Sequence, residues 1–246
     1  MTKDELFTEL KVKFKKIIEE NNIDQHVIKL NCKLLSPEEA IGITKRKDYP
    51  ILTGKEIMLS AEFQGEIGQA FTDAPSAGSE TLSDIIEADI ANDPHALAVF
   101  IATLNAVTRK LGISDKTVHC KNEEPELCAA ELVRYISSNY GNPKIALIGY
   151  QPAMLEHLSK VFNVRVLDLN PENIGETRYG VTVEHGMDSY SDAVMWADII
   201  LCTGSTVCNG SVVNFIDIGK EVLFFGTSIS GAAELLGLKR LCFKAV

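Results

Sequence analysis

The sequence predicts an α/β protein in two parts, a small α+β domain over residues 1–125 and a doubly wound, mostly parallel α/β domain over 126–246. Three observations carry that reading. From residue 144 onward short apolar runs alternate with helical patterns at short connections, which forces right-handed crossovers. Three of the runs end in small-residue loops: Gly149-Tyr150-Gln151-Pro152, Thr203-Gly204-Ser205-Thr206 and Gly226-Thr227-Ser228. The first half shows a different pattern, long helical stripes around a few strand-like runs.

The elements follow in order. Residues 3–20 place Leu6, Leu10, Phe14 and Ile17 three or four apart, the stripe of an amphipathic helix. Residues 27–35 and 57–63 read as strands, with a turn at 53–55, and Gly65, Gly68, Pro75 and Gly78 then read as a loop. A short helix over 83–90 precedes Asp93-Pro94, a cap followed by a first-turn proline, which starts a helix over 95–111 that stops at Gly112. Most of its circumference is apolar, and Asn105 inside it is a buried amide that must find partners, more readily in a neighbouring loop than in a ligand. Polar residues 113–126 connect the halves, and Pro125 opens a helix over 126–139.

The second half reads as strands over 145–148, 164–169, 181–183, 199–202, 222–225 and 240–243. Helices over 153–161, 191–197, 210–218 and 231–236 separate them. In the mononucleotide-binding strand order the first and fourth strands are neighbours at the switch point, so the loops at 149–152 and 203–206 face one crevice.

Composition bounds the function. The 246 residues are 46% hydrophobic and 24% charged, and 34 acidic against 24 basic residues give a net charge of −10. A phosphate backbone or an anionic membrane would be repelled, so neither nucleic acid nor membrane is an expected partner. With no secretory leader pattern at its polar start and no run of 18 apolar residues, the chain is expected to be cytoplasmic. The six cysteines, 32, 120, 128, 202, 208 and 242, form no C-x-x-C pair and read as small buried hydrophobes of a reducing compartment.

The three loops are the candidate ligand site, comprising Gly149, Tyr150, Gln151, Pro152, Thr203, Gly204, Ser205, Thr206, Asn209, Gly226, Thr227 and Ser228. Asp168 joins them at the end of the second strand, at the distance beyond Gly149 where an acid meets a ribose in dinucleotide folds. The phosphate loop itself argues against NAD, because Tyr150 and Pro152 stand where glycines would admit a pyrophosphate. Capping by Asn209 and Ser230, and of Asn170 by Asp168, is the competing structural reading. No G-x-S-x-G motif and no histidine spacing supports nucleophilic catalysis, so whether a reaction is catalysed is left open. Cys202, Cys208 and His185, the last with Glu184 and Asp188, are the weaker metal-ligand candidates. Neither His119-Cys120 with Cys128 nor Cys202 with Cys208 has the spacing of a structural metal site.

The loop motifs as a set, Ile148 to Pro152, Thr203 to Thr206 with Asn209-Gly210, and Gly226 to Ser228, resemble the C-terminal domain of a family of unknown function labelled for heavy-metal chelation. The first half, with Gly68 to Thr72 and Asn105-Ala106, resembles the enolase N-terminal-like domain usually fused before it. The third loop lacks the proline of the family's Gly-Pro-Ser-Thr type start. The resemblance implies a Rossmann-like C-terminal domain and an interdomain ligand cleft. The expected function is binding or processing of a small anionic metabolite or metal chelate there, with a metal ion or chelate as cofactor and a homo-oligomer left open. Two alternatives stand beside it: an enzyme using an adenosine-containing cofactor, and a non-catalytic metal-trafficking or scaffold protein.

Overall fold

A computed structural model of the chain describes residues 1–23, 33–53, 57–74, 76, 78 and 80–246. The fold is α/β, with a three-stranded antiparallel sheet and a six-stranded, mostly parallel one. Helix α1 (Lys3–Glu20) starts at a capping box between Thr2 and Glu5. It buries Leu6, Phe7, Leu10, Phe14 and Ile18, so the inward stripe ends on Ile18 and leaves Ile17 half-buried. The antiparallel sheet runs β1 (Lys33–Leu35), β2 (Ile57–Phe63), β3 (Glu66–Thr72), and helix α2 (Pro37–Ile41) follows β1. The expected strand at 27–32, the turn at 54–55 and Pro75 lie outside the described residues.

The expected loop at 65–72 is instead strand β3, hairpin-paired with β2 from Phe63↔Glu66 to Ile57↔Thr72. Gly65 supplies the turn at φ +86, and Gly68 serves close packing. A Cβ on Gly68 would lie 2.2 Å from the Ala106 nitrogen and 2.3 Å from the Ala102 carbonyl of α4 (Pro94–Lys110). Glycine here marks a helix seated on a strand rather than a break. Helix α4 begins as predicted, Asp93 accepting from the His95 and Ala96 amides. Before it lies the short α3 (Leu82–Glu87).

The second half opens with α5 (Glu124–Tyr140) and alternates β4 (Ile145–Ile148), α6 (Pro152–Ser159), β5 (Val164–Asp168), β6 (Thr177–Arg178), β7 (Val181–His185), α7 (Tyr190–Trp196), β8 (Ile199–Thr203), β9 (Glu221–Phe225) and α8 (Ser230–Leu236). The sheet order is β6-β7-β5-β4-β8-β9, antiparallel only at β6. First strand β4 therefore lies between β5 and β8, the switch-point arrangement. Successive residues of the buried strands face opposite cores. Ala146, Ile148, Ile200 and Phe224 join α1, α4 and α8, whereas Ile145, Leu147, Leu201 and Leu223 join α5 and α6.

Two expected elements are replaced. Residues 204–215 form two short 3-10 turns, Gly204–Cys208 and Ser211–Phe215, where one helix over 210–218 was expected. Gly210 at φ +77 separates them, and the β-branched run Val212-Val213 favours no long helix. Residues 240–243 are no strand, and only Arg240 bridges to Phe224. The C-terminal segment instead threads past β9 to residue 118, where Val118 and Val246 exchange backbone hydrogen bonds.

Candidate functional site

Gly149 brings the first two loops together. At φ +87 its Cβ would lie 2.7 Å from the Thr203 methyl, so only glycine lets the ends of β4 and β8 touch. Gly204 does the same for the second and third loops, a Cβ there lying 2.9 Å from the Phe225 carbonyl and 3.0 Å from the Ile229 nitrogen. Gly226 turns the third loop at φ +94. The three loops thus form one continuous rim at the carboxyl edge of the sheet.

The polar groups of this rim are largely bonded to one another. Asp168 accepts from the Tyr150 and Asn170 amides, each at 2.6 Å, and so fixes two loops by backbone capping. Thr203 accepts from the Ser205 amide, its hydroxyl lies 3.1 Å from that of Ser205, and Thr206 donates to the Thr203 carbonyl at 2.7 Å. Asn209 accepts from the Ser211 amide at 2.9 Å. Ser228 accepts from the Phe71 amide at 2.9 Å, and Ser230 donates to the Thr227 carbonyl at 2.7 Å. The Thr227 hydroxyl is buried with no partner among the described residues.

Asn105 holds the third loop against the antiparallel sheet. Its amide nitrogen donates to the carbonyls of Gln69, Thr227 and Ser228 at 2.9–3.1 Å, and its oxygen accepts from the Gly231 amide at 2.8 Å. This completely buried side chain is satisfied by the protein, as the sequence suggested.

Between the rim and the first half lies a cavity of about 960 Å³. From the candidate set it is lined by Gly149, Tyr150, Gln151 and Asp168 on one loop pair, by Thr203, Ser205, Thr206, Cys208 and Asn209 on the second, and by Gly226, Thr227 and Ser228 on the third. Pro152 starts α6 and is buried beside the cavity, Gly204 is packed behind the rim, and Cys202 is fully buried under it, 3.6 Å from the Thr206 hydroxyl. His185 lies outside the lining, paired with Asp188 at 3.2 Å, and Glu184 is engaged by Arg165. Burial pushes the Cys202 and Cys208 thiols up to about 12, so both stay protonated at neutral pH.

The opposite wall comes from the first half and was not legible as a site. A strap before β2 contributes Tyr49, Pro50 and Ile51, β3 contributes Phe71, and His119 stacks edge-on against Phe71 at 5.4 Å. Arg46 clasps the strap to the second half. Its guanidinium pairs with Glu126 at 2.5 Å and with Glu156, and sits over the rings of Tyr49 and Tyr179. Hydrogen bonds from Arg46 and Lys160 hold the Glu156 carboxyl down at about 2. Asp48 accepts from Tyr179 and, at 3.5 Å, from the Tyr150 hydroxyl, which burial and Asp48 push up to about 12.

Cys120, Cys128 and Cys242 complete the lining where the C-terminal segment meets α5. The neighbouring Cys128 thiol and the charge of Arg240 pull the Cys242 thiol down, while Cys242 and burial push that of Cys128 up. Sequence spacing separated these residues by more than a hundred positions, and only the path of the C-terminal segment unites them.

Residues 133–238 match the model of the DUF364 family, described as "Putative heavy-metal chelation". Two solved structures of DUF364 proteins of unknown function share the fold. One from Pyrococcus horikoshii has a TM-score of 0.55 at 16% identity, over 91% of this chain and 79% of that one. The other, from Desulfitobacterium hafniense DCB-2, has a TM-score of 0.51 at 12% identity, over 95% and 82%. No curated protein matches the chain. Among the described residues no helix is long and apolar enough to cross a membrane.

Proposed function

We propose that this protein binds a metal chelate, or a small organic ligand of that size, in the cavity between its antiparallel first half and the carboxyl edge of its parallel sheet. The observation that carries the reading is the cavity itself. It sits at the switch point, its volume of about 960 Å³ is that of a small-molecule site, and both halves of the chain line it. The division at residue 125 is part of the proposal, because it places the ligand between two units.

The lining chemistry selects among ligands. Among the described residues neither lysine nor arginine lines the cavity, whereas Asp73, Asp168 and Glu172 do. A bare anion would therefore meet neutral donors and carboxylates, which disfavours the anionic metabolite. No group of three His, Cys, Asp or Glu side chains able to hold a metal ion occurs among the described residues either. A resident ion in a protein-built cage does not fit this donor set. A chelate fits better, since it brings its own ligands and presents an organic surface to Phe71, Ile51 and Met154. The family description points the same way. The adenosine-cofactor reading is weaker, because both Asp168 oxygens already accept from backbone amides.

The test is a thermal-shift panel of metal ions, small chelates, nucleotides and small acids on the wild type and on Ser205→Phe, which projects a ring from the rim. A ligand at 100 times its dissociation constant adds about 2.7 kcal/mol to stability. The expected outcome is stabilisation by a chelate and its loss in Ser205→Phe. Stabilisation by nucleotides alone, or equal shifts in both proteins, would overturn the reading.

A further inference from the structure

We infer that Cys128 and Cys242 form a dithiol site in the cavity wall that takes a soft, two-coordinate metal cation such as mercuric or cuprous ion. The inference rests on the cavity of the proposed function being open to solutes, but not on which ligand occupies it.

Three independent ties fix the pair. Arg240 bridges to Phe224 of β9, and the Leu241 amide donates to the Phe224 carbonyl at 2.7 Å, which starts the C-terminal segment along the sheet edge. Lys244 pairs with Glu131 of α5 at 2.6 Å, and the rings of Phe243 and Tyr135 lie 6.0 Å apart, which press that segment onto α5. The mutual bonds of Val118 and Val246 anchor its end. Cys242 is thereby held beside Cys128 in the first turns of α5, on the stretch of cavity wall that both residues line. Both thiols are free, 5% and 9% exposed, and both line the cavity, so what little surface they show is turned to it.

Two neighbouring thiols lining a cavity that solutes can enter suit cations that are satisfied by two sulfurs in a line. Hard ions, and zinc in a closed tetrahedral site, need more ligands than the described residues gather there. On binding mercuric ion two S–H bonds break and two S–Hg bonds form. Both protons leave to solvent, and no electron is transferred. Cys202 and Cys208 stand apart, Cys202 beneath the rim and Cys208 beside Ser228.

The probe is mercuric chloride, titrated anaerobically into the reduced protein against a competing monothiol, with ultraviolet thiolate-to-metal absorption and native mass spectrometry as readouts. The wild type is expected to take one ion that the monothiol does not remove. Cys128→Ala and Cys242→Ala are each expected to lose at least 100-fold in apparent affinity, and Cys202→Ala to keep it. Circular dichroism and melting of each variant, with the two-site mutant Cys128→Ala/Cys242→Ala as a folded reference, separate loss of the site from loss of the fold. Retention of the tight ion in either single variant, or its loss in Cys202→Ala, would overturn the dithiol site. If no chelate stabilises the protein yet mercury behaves as expected, the chelate reading fails and the dithiol site stands.

Discussion

The two walls of the cavity use their polar atoms in opposite ways. On the rim, Thr203, Thr206, Asn209, Ser228 and Asp168 spend hydrogen bonds on backbone groups of their own loops, of the neighbouring loop at Tyr150 or of Phe71. On the facing wall, the strap is held from outside by Arg46, and the free thiols of Cys128 and Cys242 line the cavity, with Arg240 beside Cys242. A hydroxyl-rich motif thus builds the shape of the site, while the less conspicuous wall keeps chemistry available. Loops that look like ligand cradles in sequence are first of all solutions to the requirement that buried polar groups be paired.

The largest expected effect falls on the frame that both walls share. Asn105→Ala removes the partners of three carbonyls and of the Gly231 amide, all buried, and each orphaned group costs about 1–3 kcal/mol. A loss of at least ~3 kcal/mol in urea unfolding is expected, and a loss below ~1 kcal/mol would show that the loop is held by other means.

Next comes the strap. Arg46→Ala leaves Glu126 and Glu156 without their guanidinium, and a cost of about 1–3 kcal/mol is expected, together with faster hydrogen exchange in residues 44–51. Acid should mimic it. Glu156 titrates at about 2 in the fold against 4.5 ordinarily, so its contribution is complete above 4.5 and is lost as pH falls toward 2. Wild type is expected to lose stability through that window more steeply than Glu156→Gln, and parallel pH profiles would remove Glu156 from the clasp.

Smaller changes compare the rim hydroxyls directly. Thr206→Val deletes a donor to the Thr203 carbonyl and is expected to cost about 1 kcal/mol. Thr227→Val replaces a buried hydroxyl with no partner among the described residues by a methyl of the same shape, so its unfolding free energy is expected within ~0.5 kcal/mol of wild type or above it. A larger loss at Thr227 would reveal a partner for that oxygen.

Much of the frame was legible in the sequence because it depends on local signals. The Asp93-Pro94 start, the stripe of α1 and the apolar runs of β4, β8 and β9 are set by residues adjacent in the chain. Strand β3 was missed because Gly65 and Gly68 read as breaks, when one makes a hairpin turn and the other admits α4. The helix expected over 210–218 is a short 3-10 turn, entered from Gly210 at φ +77 and carrying the β-branched pair Val212-Val213. The strap and the thiol pair were invisible for a different reason. Arg46 reaches Glu126 and Glu156, and Cys128 meets Cys242, across separations that no periodicity encodes. Asn105 was the exception, a long-range partner betrayed by one amide in an apolar helix.

The central claim, that both walls close on one ligand space, is tested most directly by methyl NMR during titration with the strongest stabilising ligand of the panel. Ile51 reports the strap wall and Ile148 the rim, and both line the cavity. Both methyl signals are expected to shift with the same midpoint and to saturate together. A ligand that binds while moving only one of them, or neither, would contradict the account.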